Sequence, residues 1–380
     1  MSFKHDLLLS RKPLAGFVAI GMAWAVYFAQ MPVIKAQVGA SDGEYGMALL
    51  VASFGAIAAM WLAPACQRFA GGFATSLGIV VLGIGMVSAG ASTGLTALML
   101  AMLLASMGSG VIDVLVNARV SEIEEQSGRP LMNLNHALYA FAYSGGALAT
   151  GFFRSEGVTP VPILTGLFVV LMVLAWAARD VAPQVEAHDN TADVRLPYAL
   201  VLLVGFVVLA AFLTEAATEG WSALHLERTL GGSAGQGAMG PAVLGLMMGI
   251  GRLMGHGLSR RFRDTHLMLV ATLISACGVM LAGMAPTVGT GLLGFAIAGL
   301  GISVVAPLVL SLLGRVVPAH QRLAAISRAS VIGYGAFFFG PPLMGLVAEG
   351  FGLRAAFYVI AGLLVVVAFA LIPALARRTG

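Results

Sequence analysis

Between Arg68 and Asp113, and again between Asp264 and Arg315, the chain carries no Asp, Glu, Lys or Arg. A helix needs about 20 apolar residues to cross a bilayer, so each gap is too long for one span and right for two. A turn rich in small residues falls inside each gap, at 90–94 and at 285–291. Single charge-free runs lie at 13–34, 45–67, 130–153, 157–178, 196–214, 229–251, 329–348 and 355–376. Together these predict twelve transmembrane helices. Strands of a membrane barrel would be about 10 residues long and alternate apolar with polar. The runs are longer and apolar on every face, so helices are expected, each satisfying its own backbone in lipid.

Composition agrees: the chain is 59% hydrophobic and 10% charged, with a mean hydropathy of +0.94. A soluble chain is about 25% charged. The lipid bilayer is therefore its solvent. The formal charge of +4 does not predict nucleic acid as a partner, because the Lys and Arg lie in short loops. Cys66 and Cys277 fall within or beside apolar runs and are expected to pack as small hydrophobes rather than form a disulfide. The first apolar run is too long for the core of a cleavable signal peptide, and none is expected.

Basic residues set the orientation. With the N-terminus in the cytoplasm, an even span count leaves only Lys35, Arg154, Arg228 and Arg354 on the outer side, of the 21 Lys and Arg in the chain. The positive-inside rule then predicts a multi-pass inner-membrane protein with both termini cytoplasmic. The longest polar stretch, 179–195, lies near the midpoint and reads as a linker. It divides the chain into an N-terminal six-helix bundle at 1–181, a cytoplasmic linker at 182–196 and a C-terminal six-helix bundle at 197–380. Gly46 and Gly55 precede Gln67-Arg68-Phe69, and Gly240 and Gly249 precede Arg260-Arg261-Phe262 at nearly the same offset. Two parallel halves of six spans are an arrangement of secondary transporters.

Several motifs make the pattern more specific. GRLMGHGLSRRF at 251–262, a glycine-rich helix end followed by basic residues, resembles the loop signature of the major facilitator superfamily. MPVIK at 31–35, DVLVN at 113–117, HALY at 136–139, Thr214-Glu215 with WSAL at 221–224, GISVVAP at 301–307, and Gly333-Tyr334 through GPP at 340–342 are similar to one bacterial subgroup. That subgroup is related to the sugar-transporting fucose permeases and to rhizopine-type (MosC-like) membrane proteins. The resemblance runs the whole chain. It implies an all-α membrane protein with twelve transmembrane helices in two six-helix bundles, the major facilitator fold. Two departures stand out. Gln67 occupies a position where the superfamily usually has Asp, and Gly220 one where the subgroup usually has Asp, while an acid appears one residue earlier at Glu219.

Ionisable side chains inside lipid cost a few kcal/mol and call for a reason. Asp113 in span 4 has Asn117 one turn on. It is expected either to close a cytoplasmic gate against Arg68, Arg119 or Arg328, with Asn117 and Arg252 alongside, or to carry a proton. In span 5, Asn133, His136, Tyr139 and Tyr143 stack on one face. They are expected either to line a solute cavity or to hydrogen-bond between helices. Metal binding by His136 is not expected, since no second ligand lies at helical spacing. Trp24, Tyr27 and Gln30 in span 1 follow the same spacing, and Tyr334 is expected to face them from the other half, with Pro341-Pro342 breaking the helix beyond it.

Glu215 and Glu219 lie one turn apart near the outer end of span 7, where two carboxylates in low dielectric tend to share a proton. Together with Asp113 they are the candidate proton carriers. The alternative ends span 7 near residue 214, leaving both acids solvated and Trp221 an interfacial anchor rather than a solute contact. Glycines such as Gly85 and Gly294 are expected to let helices approach and slide.

The function expected is secondary active transport of a small polar solute by alternating access, proton-coupled rather than sodium-coupled, by a monomer without a cofactor. The alternatives are a non-transporting sensor with a transporter fold, and a drug or metabolite exporter rather than an importer. An enzyme is not expected, because no nucleophile elbow or paired-His zinc element is present. The absence of a Gly-x4-Gly-Lys-Ser/Thr loop argues against an ATP-driven pump.

Overall fold

The computed structural model describes residues 3–179, 196–258 and 261–379. Apart from Leu196, the expected linker at 182–196 lies outside them. Every regular element among the described residues is helical. The first set is α1 (Phe3–Ala29), a short α2 (Met31–Gln37), α3 (Asp42–Ala70), α4 (Ala74–Gly90), α5 (Leu95–Ser127), α6 (Met132–Ser155) and α7 (Pro160–Ala177). The second begins with α8 (Tyr198–Leu224), which runs on as a π-helical turn, His225–Thr229. Then come α9 (Ala234–Leu258), α10 (Asp264–Met284), α11 (Val288–Ile302), α12 (Val305–Val316), α13 (Ala319–Tyr334), α14 (Ala336–Val366) and, after a second π-helical turn, α15 (Ile372–Thr379).

Nine helical stretches among the described residues are long and apolar enough to cross a membrane by length and composition. The sequence predicts twelve spans, and two features account for part of the difference. The stretch His320–Thr379 is 60 residues long and turns back at Gly352, whose φ of +83° only glycine adopts readily. In α6, Asn133, Asn135, His136 and Arg154 lower the hydropathy below that of its neighbours. Polar residues of this kind in a membrane helix usually face protein or water, while α6 also exposes Leu148, Phe152 and Phe153.

Within the first set, α5 packs on α1, α3 and α4, and α1 on α6; within the second, α8 packs on α12, α13 and α14, and α10 on α11 and α14. The sets meet along α6 against α9 and α3 against α14. Close approach at α3 and α14 depends on two glycines. A Cβ at Gly46 would stand 2.5 Å from the Pro341 carbonyl oxygen, and one at Gly345 would stand 2.5 Å from that of Asp42. Gly85 against Ala105 and Gly294 against Ala282 make the close contacts expected inside each set.

One expectation needs correction, and the alternative reading of span 7 is set aside. α14 runs through Pro341-Pro342, and the chain breaks instead at Gly335, between α13 and α14. Proline at 341 cannot donate to the Phe337 carbonyl four residues back. Ser53 Oγ of α3 donates to that oxygen at 2.6 Å, so the freed acceptor is satisfied without a kink. α8 does not stop near 214 but extends ten residues further, with Thr214 and Thr218 fully buried. Trp221 is 1% exposed and so is no interfacial anchor.

Candidate solute-binding site

The α-helical repeat brings residues spaced by three or four onto one side, and α1 and α6 use this to build an aromatic wall. Trp24 stacks on Phe28 with centroids 5.5 Å apart, and its Nε1 donates to Ser109 Oγ at 3.0 Å. That bond fixes the indole plane. Tyr139 and Tyr143 follow one another along α6 with rings 6.3 Å apart. Tyr143 is packed among Ala25, Ala29, Ala147, Ala238 and Ala242, and its hydroxyl has no hydrogen-bond partner. His136, half-buried, sets its ring edge-on against Phe17. Asn133 is exposed and stands apart from the group.

The acids expected on α8 are both half-buried. Glu215 Oε1 lies 3.4 Å from Arg252 Nη2 of α9, and Arg252 Nη1 reaches the His136 carbonyl, also at 3.4 Å. Arg252 therefore stands between α8 and α6, beside Glu215 and away from Asp113. Glu219 lies one turn on, in electrostatic reach of Glu215, Arg252, Tyr139 and Tyr143. One guanidinium thus faces two carboxylates beside an aromatic wall.

Other predicted residues fall outside this group. Tyr45 Oη donates to Tyr27 Oη at 3.1 Å, and Trp221 sets its ring edge-on to Tyr45 at 5.8 Å. The three form a buried plug joining α1, α3 and α8. Gln30 is fully buried beside it in sequence, and neither amide atom has a hydrogen-bond partner. A buried amide without partners calls for an explanation, and a ligand or water is the usual one. Tyr334 packs against Phe212 and Phe337 at 5.7 and 6.1 Å. Asp113 does not meet Arg68, Arg119 or Arg328. Its Oδ1 accepts from Asn117 Nδ2 at 2.9 Å, while Arg119 pairs with Glu122, Arg328 donates to Tyr198 Oη at 2.6 Å, and Arg68 is exposed.

A second polar cluster was not anticipated. It lies at the far face, opposite the face that holds Asp6, Tyr198 and the end of α15. Arg154, its side chain 3% exposed, makes a two-pronged contact with Glu227 at 2.7 and 3.0 Å and donates to the Ala29 carbonyl at 2.6 Å. Arg228 makes another with Asp42 at 2.6 and 2.9 Å, and Lys35 Nζ adds a third contact to the same carboxylate at 2.9 Å. Glu349 accepts from Ser41 Oγ at 2.8 Å and Gly43 N at 2.6 Å. Burial alone would raise the Asp42 carboxyl, but Arg228 and Lys35 together hold it below the usual carboxylate range. A sequence signal did exist: Lys35, Arg154, Arg228 and Arg354 are the four bases that the positive-inside rule leaves on the wrong side. Three of them build this cluster, and the fourth donates to the Gly283 carbonyl at 2.9 Å.

The sequence profile of the Major Facilitator Superfamily matches residues 14–293 and 204–379. The chain belongs to this superfamily. It is 30% identical over 369 residues to an uncharacterised MFS-type transporter of Yersinia pestis, covering 93% of this chain and 92% of that one. It is 25% identical over 353 residues to the membrane protein MosC of Rhizobium meliloti, covering 91% and 85%. Among solved structures, a D-xylose-proton symporter superposes with a TM-score of 0.75 at 15% identity, covering 97% of each chain. A bacterial homologue of the human lysosomal transporter Spinster, inward-facing and occupied, gives 0.73 at 16% identity, covering 100% and 98%. These likenesses are of fold. As a MosC-like member of the superfamily, the protein is a multi-pass membrane transporter, in a family of transporters rather than enzymes.

Proposed function

We propose that the protein moves a small polar solute across the cytoplasmic membrane by alternating access, coupled to protons, with both termini cytoplasmic and twelve spans in two six-helix bundles. The carrying observation is one guanidinium, Arg252, shared loosely between the acid-bearing α8 and the stripe-bearing α6. Its contact to Glu215 is single and 3.4 Å long, whereas the far-face pairs are two-pronged and at most 3.0 Å. A weak pair in a half-buried place is one that a proton can break. Protonation of Glu215 removes its charge and releases Arg252 to solute, and loss of that proton on the other side restores the pair. The closed far-face cluster then belongs to the state open to the cytoplasm.

Purified protein in vesicles tests this. Glu215→Gln keeps size and hydrogen bonding but cannot titrate. It is expected to exchange solute without a gradient and to fail to accumulate it against one, with Glu219→Gln milder. Accumulation by Glu215→Gln equal to the parent would move the proton to Asp113 or make the protein a uniporter.

A further inference from the structure

On the face that carries the termini, a cleft of about 760 Å³ opens between the start of α8, the end of α12, the start of α13 and α15. Its walls are mostly apolar, including Leu196, Leu200, Val316 and Val317, and among the described residues its one charged lining residue is Arg378. No acid lines it. We propose that this cleft holds an anionic phospholipid, its phosphate on Arg378 and the upper part of its chains on the apolar walls.

Three observations carry this. First, the cleft sits where helices end, the level at which a lipid headgroup meets its chains. There α15, the end of the last apolar helical stretch, buries Ile372 and Leu375 and exposes Arg377 and Arg378, so its basic end stands at headgroup level. Second, the described surroundings are positive: from residue 265 to 379 Glu349 is the one acid and lies at the far face, and Asp264, just before that stretch, is already paired with Arg315. Arg328 sits over the ring of Tyr198, a wall of the cleft, at 5.5 Å, adding a second cation at the rim. Third, the shape suits an amphiphile. A free phosphate would meet Arg378 but leave the apolar walls wet, and a zwitterionic lipid would fill the walls while bringing its own cation to an already positive rim. An anionic lipid matches both parts, since a guanidinium binds phosphate oxygens in pairs and basic pockets at helix ends favour such headgroups.

The test is native mass spectrometry of the full-length protein in detergent with equal amounts of phosphatidylglycerol and phosphatidylcholine of the same acyl chains. The parent is expected to retain phosphatidylglycerol preferentially. Arg378→Gln should reduce that preference about fivefold, the worth of one arginine near an anionic headgroup. Ala199→Trp, an exposed lining position, should fill the cleft and reduce it as much without changing charge. Arg377→Gln, outside the lining, should cost less than twofold. Equal retention of both lipids by the parent, or full preference in Arg378→Gln, would overturn the proposal. Full preference in Ala199→Trp would assign lipid binding to the basic face at large and overturn the cleft. Preference that appears only after Glu186→Gln, Asp189→Asn and Asp193→Asn would mean that the chain's own acidic stretch occupies the cleft, which also overturns it.

Discussion

Ser53 and Phe337 are joined by a hydrogen bond that exists because of a third residue, Pro341. The Ser53 hydroxyl donates at 2.6 Å to the one carbonyl that the proline nitrogen cannot serve, and the bond crosses from α3 to α14. Ser53→Ala is expected to leave that part-buried oxygen unpaired and to cost about 1 kcal/mol. In a Pro341→Ala background the restored N–H takes the oxygen, so the same Ser53→Ala change should cost little. A double-mutant cycle on thermal unfolding reads the difference. Additive losses would show that the serine and the proline act independently.

The far face is held by buried charge, and breaking one side of such a pair is costlier than removing both. Glu227→Gln leaves Arg154 buried without its carboxylate. It is expected to raise labelling of Ala238→Cys by a membrane-impermeant thiol reagent more than tenfold, in a chain lacking Cys66 and Cys277. Adding Arg154→Gln should restore much of the stability that Glu227→Gln loses. A labelling rate equal to the parent's would show that the face is shut by helix packing alone.

Asp42 sets a pH limit. Its carboxyl is held below the unfolded value of about 3.9, so its stabilising effect is present in full above that value and is lost as pH falls through the folded one. The difference in unfolding midpoint between parent and Asp42→Asn should be constant from pH 8 to about pH 5 and shrink below about pH 4. A difference that grows on acidification has the wrong sign for this pairing.

Tyr143 carries a buried hydroxyl with no partner. Removing it in Tyr143→Phe is expected to leave the unfolding midpoint unchanged or slightly higher, because no bond is lost. If the hydroxyl serves solute, affinity should fall about tenfold for a ligand found by screening sugars, polyols, amino acids and drugs. Unchanged affinity would return the residue to helix packing.

Reading a chain gives what is local, and here that included the apolar runs, the α6 stripe and the two acids on α8. Helical spacing placed Tyr139 with Tyr143 and Glu215 with Glu219 correctly, because neighbours on one helix are fixed by its pitch. It could not place Arg252 beside Glu215, or Arg154 beside Glu227, since those pairs depend on which helices face each other. Trp221 was ambiguous for the same reason: a tryptophan near a span end suits an interface as well as an interior, and only the length of α8 decides. Pro341 misled because a proline's effect depends on whether another group takes the carbonyl it frees.

The far-face pairs also bear on how the halves find each other. Glu227 and Arg228 are consecutive, and each takes an opposite charge from the other half: Arg154 for the acid, Asp42 for the base. The consecutive Glu227 and Arg228 therefore meet Arg154 and Asp42 in a fixed order, like a two-pin plug that enters its socket one way, with Lys35 as a further base on Asp42. A half docked with the order reversed would press two bases and two acids together. Exchanging the two residues, Glu227→Arg with Arg228→Glu, preserves composition and net charge while setting like charges against Arg154 and Asp42.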